Sequence, residues 1–346
     1  LQFLDYPERN QGLIPKKSVE KMSDPVEKGY MEGTIVFSSG RAADFDVFVL
    51  DPKTAEVRQL TTGPYVNDQP RWSPDKRTIA FISNRTGTYQ LWLMNPDGSN
   101  QRQLTFDNVH HMNPAWSPDG SGVACCANYH DKEEINIWRV PLATPNTPEI
   151  LVENTGLEGD FCFSPDGTKL CFAATYSGNY DLWELNLLSK ERKQLTCHAG
   201  RDFGPAYSPD GTMLAFVSTP EWEPSSKKPP TNADVYLMMA DGKKEPLKVT
   251  KNRGADMHVC WSPSGNALCY AAGARTPGAA RLQVIDLLDG SLVRLAYDRS
   301  KLEGELNAEV YDSNLLTKLL PDSLQRAAVY LGNPAYFGTE RCPDWR

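Results

Sequence analysis

The chain has 346 residues, with 36 basic against 44 acidic side chains and a net charge of −8. That length holds one large domain or two ordinary ones and buries a substantial core. The acidic balance argues against a counterion-displacing nucleic-acid surface, and no stretch reaches the ~18–20 apolar residues that span a bilayer.

In chain order, residues 1–32 are charged and irregular, without a strand pattern. The chain opens on Leu1 rather than methionine, which is consistent with a processed product whose secretion signal has been removed. From residue 33 apolar and polar residues alternate, and "GTIVFSSGRAADFDVFVLDPKTAEVRQLT" (33–61) supplies three strands. A phrase then recurs: "PRWSPDK" (70–76), "PAWSPDG" (114–120), "FCFSPDG" (161–167), "PAYSPDG" (205–211) and "VCWSPSG" (259–265). Its serines, Ser73, Ser117, Ser164, Ser208 and Ser262, stand 44, 47, 44 and 54 residues apart. The longest interval contains a polar, proline-rich insertion, "EWEPSSKKPPTNAD" (221–234). An alternating apolar run follows each turn, such as "TIAFIS" or "KLCFAA". A second run comes next ("YQLWLMN", "YDLWELN"), then a tight turn, then a fourth strand that often ends Gln-Leu-Thr (59–61, 103–105, 194–196). Proline presets the corner of the repeated turn, Asp bonds within it and Gly accepts its strained end, so the phrase punctuates structure and its acids are poor catalytic candidates.

Four strands per ~40–45 residues fit a propeller blade, because one such sheet cannot bury both faces without neighbours. The expected fold is all-β: a six-bladed β-propeller of four-stranded antiparallel blades over 33–295, with seven blades as the alternative. The first strand of the opening blade is missing from 33–61 and must come from the N-terminal arm or from a segment after Leu295. Residues 1–32 read as an irregular arm and 296–346 as a partly helical C-terminal extension. In the latter, Asp322 and Gln325 fit a capping box, Leu324, Ala328 and Leu331 share a face, and Gly332-Asn333-Pro334 stops the helix.

The recurring Ser-Pro-Asp-Gly, the preceding Pro-x-aromatic and the closing Gln-Leu-Thr resemble the WD-like propeller repeats of TolB and its relatives, over about residues 33–295. The resemblance implies an extracytoplasmic, periplasmic protein that binds other proteins through its channel mouth and rims. Some such propellers are accessory subunits of larger periplasmic enzymes, the β subunit of hydrazine synthase among them. Oligogalacturonate lyases resemble the same repeat and carry histidine-rich channel mouths.

Linear active-site motifs are absent. There is no Gly-x-Ser-x-Gly, no Gly-x-x-x-x-Gly-Lys, no His-Glu-x-x-His and no Cys-x-x-Cys-His for covalent haem. In a four-strand meander the Ser-Pro-Asp-Gly turns share one face, and the second-to-third and fourth-to-first links share the other. All five histidines fall in those links: His110, His111, His130, His198 and His258. Asp68, Asp160, Asp202 and Asp256 precede the innermost strands. His110, His111, His258, Asp160 and Asp202 are the candidate ligands for a divalent metal (Zn, Mn or Ca) at the channel mouth. A hydrated polar rim, or a peptide-binding surface, is the competing reading of the same residues. Cys162/Cys171 and Cys260/Cys269 bracket equivalent turns where other blades place Ala115/Ala124 and Ala206/Ala215. A cross-strand disulfide in these two blades, consistent with an oxidising compartment, is the alternative to free thiols, which are favoured because a bridge between directly opposed strand residues fits disulfide geometry poorly. Adjacent Cys125 and Cys126 should point to opposite faces of their strand.

Two functions compete. The first is a non-catalytic scaffold or interaction subunit of a multi-protein complex, meeting other protein subunits through the channel mouth and the terminal arms. The second is a metal-dependent carbohydrate-active enzyme of the oligogalacturonate lyase type. A uronate needs cations, and only Arg201 and Arg253 stand near the mouth in the sequence, which weighs against the second.

Overall fold

The computed structural model describes residues 33–42, 44–52, 54, 56–129, 135–153, 158–197, 200–219, 233–250, 255–272, 281–287, 292–294 and 340–345. The expected N-terminal arm, the helix at 322–331, most of the 221–234 insertion, His130, His198 and Arg253 lie outside them. Six four-stranded antiparallel sheets make up the described structure, with no helix among the described residues.

Blade 1 contributes β1 (Ile35–Ala42), β2 (Asp44–Asp51) and β3 (Glu56–Gln59). Blade 2 runs β4 (Asn67–Trp72), β5 (Ile79–Thr86), β6 (Thr88–Met94) and β7 (Arg102–Gln103). Blade 3 runs β8 (Met112–Trp116), β9 (Gly122–Ala127), β10 (Asn136–Pro141) and β11 (Glu149–Val152). Blade 4 runs β12 (Glu158–Phe163), β13 (Lys169–Ala174), β14 (Asp181–Asn186) and β15 (Arg192–Gln194). Blade 5 runs β16 (Asp202–Tyr207), β17 (Met213–Ser218), β18 (Asp234–Met239) and β19 (Leu247–Lys248). Blade 6 runs β20 (Asp256–Trp261), β21 (Ala267–Ala272), β22 (Arg281–Asp286) and β23 (Leu292–Arg294). The missing strand of blade 1 is β24 (Glu340–Trp345), from the segment after Leu295, in the sheet order β24-β1-β2-β3. Consecutive first strands touch all the way round, with β24 between β20 and β4, so six blades close a ring about a central channel. Arg71, Ala115, Cys162, Ala206 and Cys260 all sit on these inner strands.

The repeated phrase does two structural jobs. In the turn, the Ser73 hydroxyl donates to Asp75 (2.6 Å) and accepts the Thr78 N–H (2.9 Å); Ser164 with Asp166 and Ser208 with Asp210 repeat the donation at 2.6 Å. Hydrogen bonds from Ser121 and Ser117 hold the Asp119 carboxyl down to about 2, the signature of a structural acid rather than a proton shuttle. Before the turn, the aromatic residue latches blades together. The Trp116 indole N–H donates to the Arg71 carbonyl (3.1 Å), Trp261 to Ala206 (2.9 Å), and the Tyr207 hydroxyl to Glu184 (3.0 Å). Trp116→Phe keeps the ring but strips the donor from a part-buried carbonyl. A destabilisation of about 1 kcal/mol is expected in urea melts.

The threonine that closes Gln-Leu-Thr, and Thr250 at the same place in Lys-Val-Thr, seals the outer strand. Thr61, Thr105, Thr196 and Thr250 each accept a backbone N–H of the neighbouring third strand, from Val47, Leu91, Leu182 and Val235 at 2.9–3.0 Å. Thr61 also donates to buried Asp46 (2.8 Å), which accepts from Asn67 of the next blade (2.9 Å). Apolar side chains of facing blades fill the seams: Cys125 packs in the cluster between blades 2 and 3, Cys126 in that between blades 3 and 4, on opposite faces as expected.

Candidate functional site

The inner strands start at the face where the fourth-to-first links arrive, and each carries a register break at one repeated position. The breaks lie between Asp68 and Arg71, Met112 and Ala115, Glu158 and Phe161, Phe203 and Ala206, and Met257 and Cys260. The residue four before the turn serine therefore leaves the two-residue alternation. It is Gln69, Asn113, Asp160, Gly204 or His258, and each is half-buried. Gln69, Asn113 and His258 have φ of 53°, 52° and 54°, and Gly204 has 60°. Left-handed backbone is natural for Gly204 but costs the three others of order 1 kcal/mol each, so the bulge is imposed by the surrounding sheet.

These residues link blades around the channel. The Gln69 amide donates to Asn113 Oδ1 (3.0 Å) and its Oε1 accepts the Asn113 N–H (2.6 Å). The Gln69 N–H donates to Ser38 of blade 1 (3.0 Å). Asp160 accepts the Gly204 N–H and lies in the field of Arg71. Arg71 belongs to blade 2 and Asp160 to blade 4, so this attraction reaches past blade 3. Burial pushes the Asp160 carboxyl up to about 6, against the opposing pull of Arg71 and of the Gly204 N–H.

The five candidate ligands are spread over several blades. His110 is buried in the β7–β8 link, where Nδ1 accepts the Tyr89 N–H (3.2 Å). His111 is fully buried in the seam between blades 2 and 3. Its Nδ1 lies 3.4 Å from the Tyr89 carbonyl, and Nε2 lies 2.6 Å from the Tyr129 hydroxyl and 3.5 Å from Asp107. Asp202 is fully buried at the start of β16, its N–H donating to the Tyr180 carbonyl (2.8 Å). Asp160 and His258 occupy the bulge position of blades 4 and 6. Among the described residues, no three His, Cys, Asp or Glu side chains gather closely enough to hold a metal ion. The seam position held by His111, Asp202 and Asp256 is held in blade 2 by Asn67, an interblade hydrogen-bonding residue.

Sequence reasoning missed Gln69, Asn113 and Arg71. The available signal was positional: Gln69, Asn113 and Gly204 each stand immediately before the proline of the repeated phrase. An apolar cavity of about 150 Å³ lies apart from this site, on the turn face between blades 5 and 6, lined by Met213, Met239, Leu247 and Trp261 among others.

Burial lowers the His111 imidazole below its ordinary value, partly offset by the Asp107 carboxylate. The unfolded chain therefore takes the proton first. Stability carries no penalty from this group above about pH 6.5 and falls as pH drops below it. His111→Asn, which copies Asn67, is expected to flatten that acid limb in urea melts across the range.

Residues 32–147 and 89–226, together more than half of the chain, match the family model described as TolB beta propeller domain. An uncharacterized protein of Agrobacterium fabrum is 23% identical over 172 residues, 48% of this chain and 55% of its own; the chain thus spans about half the length of that curated relative. The crystal structure of TolB from Acinetobacter baumannii superposes with a TM-score of 0.63 at 18% identity, covering 77% of this chain and 66% of that one. An oligogalacturonate lyase from Vibrio parahaemolyticus gives a TM-score of 0.54 at 14% identity, covering 83% of this chain and 79% of that one. Likeness at these identities speaks for the fold alone. Joined to the six-bladed ring and its repeated turn, the match of more than half the sequence carries the conclusion: this chain belongs to the TolB β-propeller domain family.

Proposed function

We propose that the chain is a non-catalytic interaction subunit of an extracytoplasmic, periplasmic multi-protein complex, and that it grips a partner protein on the face where its channel opens. One observation carries the reading. Among the described residues, the exposed large apolar side chains are Tyr65 (41%), Phe106 (68%) and Leu188 (94%), and the first two stand on consecutive links of the mouth face. Exposed aromatics on a polar surface are the usual anchors of protein interfaces, worth about 2 kcal/mol each when they become buried. The inner strands add a cation at Arg71, an acid at Asp160 and the Gln69–Asn113 amides, a mixed set suited to a peptide strand or loop.

The test is the native mass of the chain recovered gently from its source cells. Wild type is expected to run as part of a larger assembly, and Tyr65→Ala/Phe106→Ala to run as the free chain. Equal masses for the two would remove the support for this reading.

A second reading, a metal-dependent enzyme on uronate oligomers, gains from Arg71, an inner-strand cation whose field reaches Asp160. Elemental analysis after dialysis against Zn, Mn or Ca, with an assay for unsaturated sugar ends on oligogalacturonate, decides it.

A further inference from the structure

Blades 4 and 6 carry a cysteine pair whose register bears on redox chemistry. Cys162 lies directly opposite Cys171, and Cys260 directly opposite Cys269. Directly opposed residues of an antiparallel pair project to the same face, with Cα atoms about 4.5–5.5 Å apart. A disulfide spans about 4.4–6.8 Å between Cα atoms, so each pair lies within bridging reach, while the poor fit of a directly opposed pair strains the bond and leaves it easily reduced. The Cys162 thiol is one of the neighbours that raise the Cys171 thiol. None of the four is disulfide-bonded in this structure; one of each pair is half-buried (Cys162, Cys260) and the other fully buried (Cys171, Cys269). Packing does not demand sulfur at these positions: blades 3 and 5 put alanine at both, as Ala115/Ala124 and Ala206/Ala215.

We propose that Cys162–Cys171 and Cys260–Cys269 are two cross-strand dithiols that close reversibly to disulfides by exchange with a small-molecule disulfide or the disulfide of an oxidoreductase. The half-buried cysteine of each pair, Cys162 or Cys260, loses its proton to solvent and attacks one sulfur of the incoming disulfide. The incoming S–S bond breaks, a mixed disulfide forms and one thiolate leaves. The buried partner then gives up its proton and attacks the protein sulfur of the mixed disulfide, expelling the second thiolate and forming the cross-strand bond. Two electrons pass from the protein dithiol to the incoming disulfide, and the two protons end on the two released thiols. Burial raises the Cys171 thiol well above its usual range, which makes it the slower, second attacker. Cys162 is two residues beyond Asp160, and Cys260 two beyond His258. Closing the bridges thus pins the two inner hairpins that present those side chains to the channel.

The experiment uses the folded full chain, incubated with excess oxidised glutathione, quenched with an alkylating reagent and mapped by mass spectrometry. The expected result is a loss of two hydrogens per pair, with linked peptides joining 162 to 171 and 260 to 269, reversed by a thiol reductant. Exposed Cys197 serves as the internal control and should carry glutathione without finding a partner. Cys171→Ala, an alanine that blades 3 and 5 tolerate, should trap glutathione stably on Cys162. Overturning results are stable glutathione on Cys162 in wild type, or four cysteines that remain alkylatable after prolonged incubation.

Discussion

Deletion of residues 340–346 is expected to open the ring and cost more stability than any single substitution. β24 pairs with β1 through Ile35–Trp345, Val36–Asp344, Ser38–Arg341 and Ser39–Glu340. Its Asp344 carboxylate accepts the buried Trp72 N–H at 2.6 Å, tying blade 1 to blade 2. Without β24, the inner edge of β1 loses its ladder partner while Ile35, Val36 and Phe37, all fully buried, gain access to solvent. Each lost hydrogen bond is worth about 1 kcal/mol and each uncovered large side chain about 1.5–3 kcal/mol. For a domain of this size the sum corresponds to a fall in Tm of at least about 10 °C. Calorimetry of the deleted chain should show that fall or a loss of the single cooperative transition. A Tm within a few degrees of wild type would mean that β24 does not close the ring.

The second large effect concerns the lumen acid. Asp160 has its carboxyl raised to about 6 from an ordinary 3.8, chiefly by burial. The folded chain therefore holds this proton more tightly than the unfolded chain does. Ionising it costs stability as pH rises from about 4 to about 6, and the full cost persists above that range. A shift of this size corresponds to up to about 3 kcal/mol. Asp160→Asn, which never ionises and can still accept the Gly204 N–H, is expected to be more stable than wild type by about 1–3 kcal/mol at pH 8, with the gain fading towards pH 4. Urea melts at the two ends of that range check it. A variant less stable than wild type at pH 8 would show that the attraction of Arg71 outweighs the burial cost.

The blade count was legible because each blade repeats one turn whose chemistry is local: Ser, Asp and Gly satisfy one another within a few residues. Even the closing strand was written out. Pro343-Asp344-Trp345 copies the Pro-x-aromatic of "PRW", "PAW" and "PAY", and Trp345 takes the register opposite Ile35 that Trp72 takes opposite Ile79. It was hard to recognise because no Ser-Pro-Asp-Gly follows it. The lumen was less legible. Alternation assigns faces by counting in twos, and the bulge at Gln69, Asn113 and His258 adds a residue, so the count fails where the channel is lined. The histidines and acids of the links were read as one convergent set. The structure uses His111 and Asp202 in seams between blades and leaves Asp160 and His258 at the bulges, a division that depends on neighbours distant in sequence.

The claim that the mouth face is the partner-binding face is tested most directly by two single-site photo-crosslinkers in the full chain. One replaces Phe106 on the mouth face. The other replaces Leu188, the more exposed side chain, which stands on the opposite face in the β14–β15 turn. Irradiation in the source cells is expected to give one discrete adduct from position 106 and none from position 188. Equal adducts from both positions, or an adduct from 188 alone, would contradict it.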